Sequence, residues 1–400
     1  MPPNRVDIAI VGGGLVGASL ACALAPLIDR HGLRVAVIEA APLNATQPTT
    51  FQPSFDARAS AIAQGSRRHF ERLGVWASMA ERATPIRQIH VSERGRFGAT
   101  RLTADEFHLD ALGYVIPNAW MGRVLHAGLE SLPLTWHCPA RVEDIVPMAD
   151  GHRLTLSDGA ILEAGLTVLA DGGRSGLKER LGIASQAQSY EQHALIANVE
   201  IGRDHAGVAF ERFSTLGPMA LLPLAGRRMA LVWTHAKAPR EETLGWSDDE
   251  CLRRLQDAFG DHLGRFRRIG KRDAYPLSLV TANEPVRPHL AVMGNAAHSL
   301  HPVAGQGFNL ALRGVMDLVT ALETGLARGQ AIGGASLLGD FESRRAADRR
   351  NVIRFSDGLI RLFGIEHAAF SHLRAAGLVG LNIVSPLRRT LARRAMGLER

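Results

Sequence analysis

The chain predicts an α/β fold, on three observations. A buried strand breaks at glycines and resumes as a helix, a second buried strand ends in an acid, and two later strands also stop in polar, glycine-containing turns. In the first, Val6-Asp7-Ile8-Ala9-Ile10-Val11 is the apolar, β-branched run of a fully buried parallel strand, and apolar residues then return at helical spacing through Leu24. At the turn between them, Gly12 allows the sharp reversal, Gly14 lets the backbone approach a pyrophosphate, and Gly17 lets the helix pack closely on the strand. The N-terminus of that helix offers free N–H groups and a partial positive charge to phosphates.

The second strand, Arg34-Val35-Ala36-Val37-Ile38, follows a turn at His31-Gly32 and ends in Glu39. That acid lies about 20 residues past the last glycine, where the dinucleotide fingerprint places a carboxylate for the adenosine ribose hydroxyls. Strand, turn, helix, strand and acid together make a Rossmann-like dinucleotide-binding unit; the stretch itself leaves NAD and FAD open.

At 400 residues with 46% hydrophobic content, the chain has room for two or three domains with sizeable cores. Cys22, Cys138 and Cys251 stand far apart without a C-x-x-C pair, which argues against a disulfide framework or zinc site and for a reduced, cytoplasmic setting. The first strand begins too early to leave room for a secretion signal. The apolar stretch Ala375 to Leu387 is interrupted by Asn382 and Pro386 and falls short of the roughly 18 residues of a spanning helix. Net charge is +7, with arginines clustered at 344, 345, 349, 350 and 354 and again at 388, 389, 393 and 394. These read as solvated helix faces or as a basic surface for an anionic membrane or a partner protein. They are not interleaved with aromatics, so no nucleic-acid partner is expected.

In chain order, a loop rich in Pro, Thr and Gln runs to Pro53, and Phe55 to Ala63 is expected to open a helix reaching about Leu73, where Gly74 ends it. Ile86, Ile89 and Val91 alternate as a strand does, with a turn at Gly95 to Gly98. Residues 118–132 read as a helix with Arg123 near its start, followed by strands near 134–139, 142–147 and 153–156. The buried strand Leu166 to Ala170 ends in Asp171-Gly172-Gly173-Arg174-Ser175. Residues 189–280 change character, with strand-like runs at 194–201, 219–223 and 229–233, a helix at 248–259, and no glycine-rich phosphate turn. They read as a second, mixed-sheet domain. Leu290 to Met293 is one more buried strand; it runs into Gly294 to Leu310, then a helix to about Leu326 and helical sequence to the end.

The expected division is therefore a discontinuous cofactor domain (1–75, 105–180 and 285–360), a substrate domain (76–104 and 181–284) and a helical C-terminal region (361–400). In an open parallel sheet, ligands bind at the carboxyl ends of the strands. Three glycine-containing strand ends, at Gly12, Asp171 and Gly294, converge on one extended ligand, whereas a nicotinamide dehydrogenase needs only the first.

The combination of Gly12 to Gly17, Asp56-x-Arg58, Arg123, Asp171-Gly172 and Gly294 to Asn309 resembles the single-component FAD-dependent aromatic hydroxylases of the para-hydroxybenzoate hydroxylase type, and within them the hydroxylases of ubiquinone biosynthesis. The resemblance covers nearly the whole chain, and His301-Pro302-x-Ala304-Gly305-Gln306-Gly307-x-Asn309-Leu310 is specific to the group. Asn295 stands where the family usually has Asp; its amide oxygen still accepts a hydrogen bond. With Val91 to Gly95 and Phe55 to Arg58, it makes the chain similar to the 2-polyprenyl-6-methoxyphenol hydroxylase branch.

The resemblance implies a Rossmann-like FAD-binding domain of that type with a mixed-sheet substrate domain. It also implies that Gly12, Gly14, Gly17 and Glu39 hold the ADP half, Arg58 and Arg123 flank the cofactor, and Asp171 and Gly172 serve the pyrophosphate side. Asn295 would meet the ribityl chain, and Gly305, Gln306, Gly307 and Asn309 the flavin ring. A helix starting near Gln306 would point N–H groups at the ring edge where reduced flavin is negative. The implied reaction uses bound FAD, NADPH or NADH, and O2 to hydroxylate a polyprenylated methoxyphenol through a flavin C4a-hydroperoxide. Hydroxylation at another ring position or of a non-quinone aromatic, and a reductase or assembly role in a ubiquinone-biosynthesis complex, stay open, as does contact with the inner membrane face.

No metal is expected, because His298 and His301 at i, i+3 have no third ligand nearby. No side chain stands out as a base for the phenol; the Pro302 carbonyl is the one candidate acceptor. The stretch from Gly217 resembles the family strand that walls the substrate cavity, which makes Pro218, Leu221, Leu222 and Pro223 candidate substrate contacts. An ordinary core strand fits the same residues.

Overall fold

The structure, a computed structural model, describes residues 4–42, 58–96, 98–214, 217–236, 238–364 and, between 374 and 398, all but 375, 378, 381 and 383. Among the described residues, eight strands form a first sheet. Its main path runs, in spatial order, Val286–Arg287, Leu290–Val292, Ile161–Leu169, Asn4–Val11, Val35–Ile38 and Leu134–His137. From Leu290–Val292 onward every neighbouring pair is parallel, and the hairpin Val142–Met148 with Gly151–Leu156 adds antiparallel to Ile161–Leu169. Parallel strands buried on both faces need apolar residues at every position, which is why Val35–Ile38 and Leu290–Val292 are uniformly buried. One face is covered by Leu15–His31, Asn118–Leu129 and Gln306–Ala327, whose buried sides join Ile8, Ile10 and Val37 in one core.

The second sheet has nine strands, ordered His298–Ser299, Asp273–Ala282, Ser185–Ile201, Arg228–His235, Met219–Leu224, Val208–Phe213, Gln88–Glu93 and Ala99–Thr103, with Phe266–Ile269 paired to Ser185–Ile201. All its pairs are antiparallel except Val208–Phe213 with Gln88–Glu93. One face packs on the helix Asp248–Phe259. That helix has the expected bounds because Ser247 caps it by accepting from the Glu250 N–H, three acids fill its first turn, and Gly260 follows it.

The stretch expected to open a helix at Phe55 departs from that reading. Phe55, Asp56 and Ala57, like the loop to Pro53, lie outside the described residues. From Ala59 to Ala63 the chain is a strand, paired antiparallel with Gly113–Pro117 from Ala59 opposite Pro117 to Ala63 opposite Gly113; the helix starts only at Gln64. Alanines favour helix locally, but the pairing partner, distant in sequence, decides.

At the C-terminal end, Gln306–Ala327 packs on Ala335–Gly364 through a buried charge network. Arg313 meets both oxygens of Asp348 at 2.8 and 3.1 Å, and Arg345 bonds Asp348 at 2.9 Å and stands 3.6 Å from Asp317. Among the described residues, no helix is long and apolar enough to cross a membrane.

Candidate active site

The glycine turn is built by close approaches. Gly12 takes φ +107°, and a Cβ there would stand 2.7 Å from the Ala170 carbonyl oxygen; a Cβ at Gly17 would stand 1.8 Å from the Gly12 oxygen. Neither position admits a side chain, so both fix the turn against its neighbours. Gly14 differs: its φ is −66° and an added Cβ would meet nothing within 4 Å. It caps Leu15–His31 without a side-chain hydrogen bond, which leaves open space over the helix N-terminus.

Glu39 closes the other side. Its Oε2 accepts from the Gly13 N–H at 2.7 Å and its Oε1 from the Ala41 N–H at 2.8 Å, so the carboxylate is tied to the turn while each oxygen keeps a lone pair to offer. His126, which the sequence did not single out, supports the same turn with Nε2 2.8 Å from the Gly13 oxygen.

A cavity of about 450 Å³ runs from this turn along the first sheet's strand ends to the second sheet. It brings together Gly14, Arg58, Gly172, Asn295, Pro302, Gly305 and Gly307, with Leu222 on the facing wall. Gly305, at φ +58°, starts the helix Gln306–Ala327 with no side-chain cap, so a second helix N-terminus opens into the cavity. Two uncapped helix starts joined by open space suit a long dinucleotide that is anionic at one end and carries a ring at the other. The residues present fit FAD.

Other expected site residues act around this cavity. The Asp171 carboxylate accepts from the N–H groups of Gly173 (3.0 Å) and Ser175 (2.8 Å), which bends the turn that presents Gly172. Asn309 accepts from the Ala63 N–H at 2.8 Å and donates to the carbonyls of Ala61 (2.8 Å) and Gly305 (2.9 Å), locking the helix start to the strand Ala59–Ala63. Asn309→Ala is expected to cost about 2–3 kcal/mol, from three hydrogen bonds at about 1 kcal/mol each, measured by denaturant unfolding. Gln306 donates to the Ala395 carbonyl at 3.2 Å and so ties the helix start to Ser385–Ala395. The Arg58 guanidinium lies over Tyr275 at 5.3 Å. Arg123 is exposed, lies over Trp120 at 5.5 Å, and is not among the residues lining the cavity.

The strand Met219–Leu224 corrects one expectation. Successive side chains point to opposite faces, so Ala220 and Leu222 face the cavity while Leu221 is fully buried in the core against the helix Asp248–Phe259. Pro218 and Pro223 also stay out of the cavity lining; the Pro218 carbonyl accepts from the Thr234 N–H at 2.9 Å.

His298 and His301 are both buried, and burial pushes them down to about 3 and about 4. Both are neutral at pH 7. The Val303 N–H donates to His301 Nδ1 at 3.2 Å, which leaves Nε2 to donate to Gln192 Oε1 at 3.3 Å. No group of three His, Cys, Asp or Glu residues that could hold a metal occurs among the described residues.

A second, apolar cavity of about 240 Å³ adjoins the first and shares Ala61, Ile86, Ile89 and Glu211 with it. Its far wall includes Phe355, Leu359, Phe363 and Leu391 from the C-terminal helices. Local sequence patterns do not encode this space, which forms where the second sheet meets those helices.

The model of the FAD binding domain matches residues 5–356. Ubiquinone hydroxylase UbiL of Rhodospirillum rubrum is 36% identical over 395 residues, covering 98% of this chain and 89% of that protein. The 3-demethoxyubiquinol 3-hydroxylase of Escherichia coli is 31% identical over 404 residues with both chains fully covered, and the human ubiquinone biosynthesis monooxygenase COQ6 is 28% identical over 430 residues, covering 96% and 90%. Among solved structures, p-nitrophenol 4-monooxygenase PnpA from Pseudomonas putida shares the fold, with a TM-score of 0.80 at 18% identity over 98% of each chain. The chain belongs to the FAD-dependent monooxygenases, within their family of ubiquinone-biosynthesis hydroxylases.

Proposed function

We propose that this protein hydroxylates the ring of a polyprenylated methoxyphenol in ubiquinone biosynthesis, using NADPH or NADH and O2. The observation that carries this reading is the pair of adjoining cavities: one reaches from Gly14 to Gly305 and suits a flavin, and the other is lined by Ile86, Leu102, Phe355 and Leu359 and suits an apolar tail. The names of the relatives support a quinone-precursor ring. Bound FAD supplies the reductive activation of O2 that the chain's own side chains cannot.

The chain's part is to hold and to exclude. Gly14 and the helix start behind it receive the pyrophosphate, Glu39 the adenosine ribose, and Asn295 the ribityl chain. The N–H groups after Gly305 would stabilise negative charge at the flavin edge, and the Pro302 carbonyl, which accepts from the Gly305 N–H at 3.0 Å, would offer its second lone pair to the phenol. Leu222, Ile89 and Ala61 keep water from the reacting ring. Exposed Leu362 and Val384, with exposed Arg389 and Arg393 on the helix that follows Val384, would rest on the membrane that holds a prenylated substrate.

Purified, FAD-loaded protein is expected to consume O2 with NADPH several-fold faster when a geranylated methoxyphenol is added. Unchanged consumption across methoxylated and unsubstituted prenyl phenols would contradict the reading.

A further inference from the structure

Glu211 stands where the two cavities meet. It lies on Val208–Phe213, between Gln88–Glu93 and Met219–Leu224, with Val91 and Ala220 opposite it in register. Strand alternation puts it on the same face as Ala209 and Phe213, which line the first and second cavities respectively. It is the one carboxylate lining either cavity among the described residues. The other residues that line both cavities, Ala61, Ile86 and Ile89, are apolar.

Among the described residues no charged or hydrogen-bonding group offsets its burial, which pushes its carboxyl up to about 8. The other charged or titratable groups in the two linings are Arg58, Arg174, His301 and Arg388. Burial pushes His301 down to about 4, well below neutral pH, whereas the Glu211 carboxyl changes charge near 8.

A carboxyl buried among apolar groups is unfavourable unless a ligand supplies its partner. We propose that Glu211 is the general base for the substrate's phenolic hydroxyl. The inference rests on the ring-hydroxylation reading above. In the step, the phenol O–H bond breaks, its proton passes to a Glu211 carboxylate oxygen, and the electron pair stays on the phenol oxygen. The added electron density at the ring's ortho and para carbons makes them better nucleophiles. The Pro302 carbonyl can accept a hydrogen bond there but cannot carry the proton away. A base titrating close to the working pH is the most effective one.

Glu211 accepts a proton only as carboxylate, so hydroxylation rises with pH through about 8 and then levels off. Glu211→Gln preserves size and polarity but removes this group, so the rise should move to the phenol's own ionisation, near 10.

The test uses the full-length, FAD-loaded protein with a geranylated 2-methoxyphenol. FAD content and the change in flavin absorbance on phenol binding report folding and binding; hydroxylated product per NADPH is followed against pH. The expected result is a Glu211→Gln variant that holds FAD and binds the phenol but hydroxylates about 100-fold more slowly at pH 8.5, with its rise displaced towards 10. Glu211→Asp, which keeps a carboxylate, should bring back a rise below 9. A Glu211→Gln variant with the wild-type rate and pH profile would overturn the assignment and leave the hydroxylase reading standing. Failure of the wild-type flavoprotein itself to bind or hydroxylate the phenol would overturn that reading and this inference with it.

Discussion

Gly14→Val is expected to yield a folded protein that holds FAD far more weakly. Its φ of −66° suits any residue, and the Cβ would have no neighbour within 4 Å, so the protein alone tolerates the substitution. The branched side chain instead fills the space over the start of Leu15–His31, where a pyrophosphate must come close to the backbone N–H groups. Forcing a bulky group into a tight contact costs about 1–3 kcal/mol, which corresponds to roughly 10- to 100-fold weaker FAD binding. The ratio of flavin to protein absorbance after gel filtration measures it, with thermal unfolding of the apoproteins as the control. Gly17→Val makes the contrast: its Cβ would collide with the Gly12 oxygen, so the turn itself fails and both measurements change.

The largest stability loss is expected for Asp348→Ala. Asp348 accepts from Arg313 and Arg345, and the three side chains are each at least 89% shielded from solvent. Removing the carboxylate leaves two guanidinium groups buried near each other, with Asp317 3.6 Å from Arg345 as the remaining nearby acid. Breaking a buried pair from one side costs about 3–5 kcal/mol, because the desolvated partner charge remains. Denaturant unfolding measures this directly. FAD affinity should fall as well, since the network clamps Gln306–Ala327, whose first turn faces the cavity, onto Ala335–Gly364.

The parts of this protein that local chemistry dictates were legible in its sequence. The first strand and glycine turn could be read because a doubly buried parallel strand must be apolar throughout, and because a helix start close to a strand demands glycine. Asp248–Phe259 could be read from its cap and charges. What distant pairing decides was not legible. Ala59–Ala63 became a strand through Gly113–Pro117. Val208–Phe213 carries no clean strand alternation, because the adjacent charges Glu211 and Arg212 interrupt it, although Glu211 faces the cavities. For Leu221 the core reading holds over the substrate-wall one, because a strand has two faces and Ala220 and Leu222 take the one towards the cavity. Arg123 matched the family pattern, yet its guanidinium position depends on Trp120, three residues before it on the same helix.

The central claim is that the adjoining cavities hold a flavin beside an aromatic ring and direct one oxygen atom onto it. Mass analysis of the product under ¹⁸O₂, with FAD-loaded protein, NADPH and a prenylated methoxyphenol, tests it most directly. The account predicts a phenol carrying one additional ¹⁸O atom, formed in step with NADPH consumption. NADPH oxidation that yields only hydrogen peroxide, or a product whose new oxygen comes from water, would contradict it.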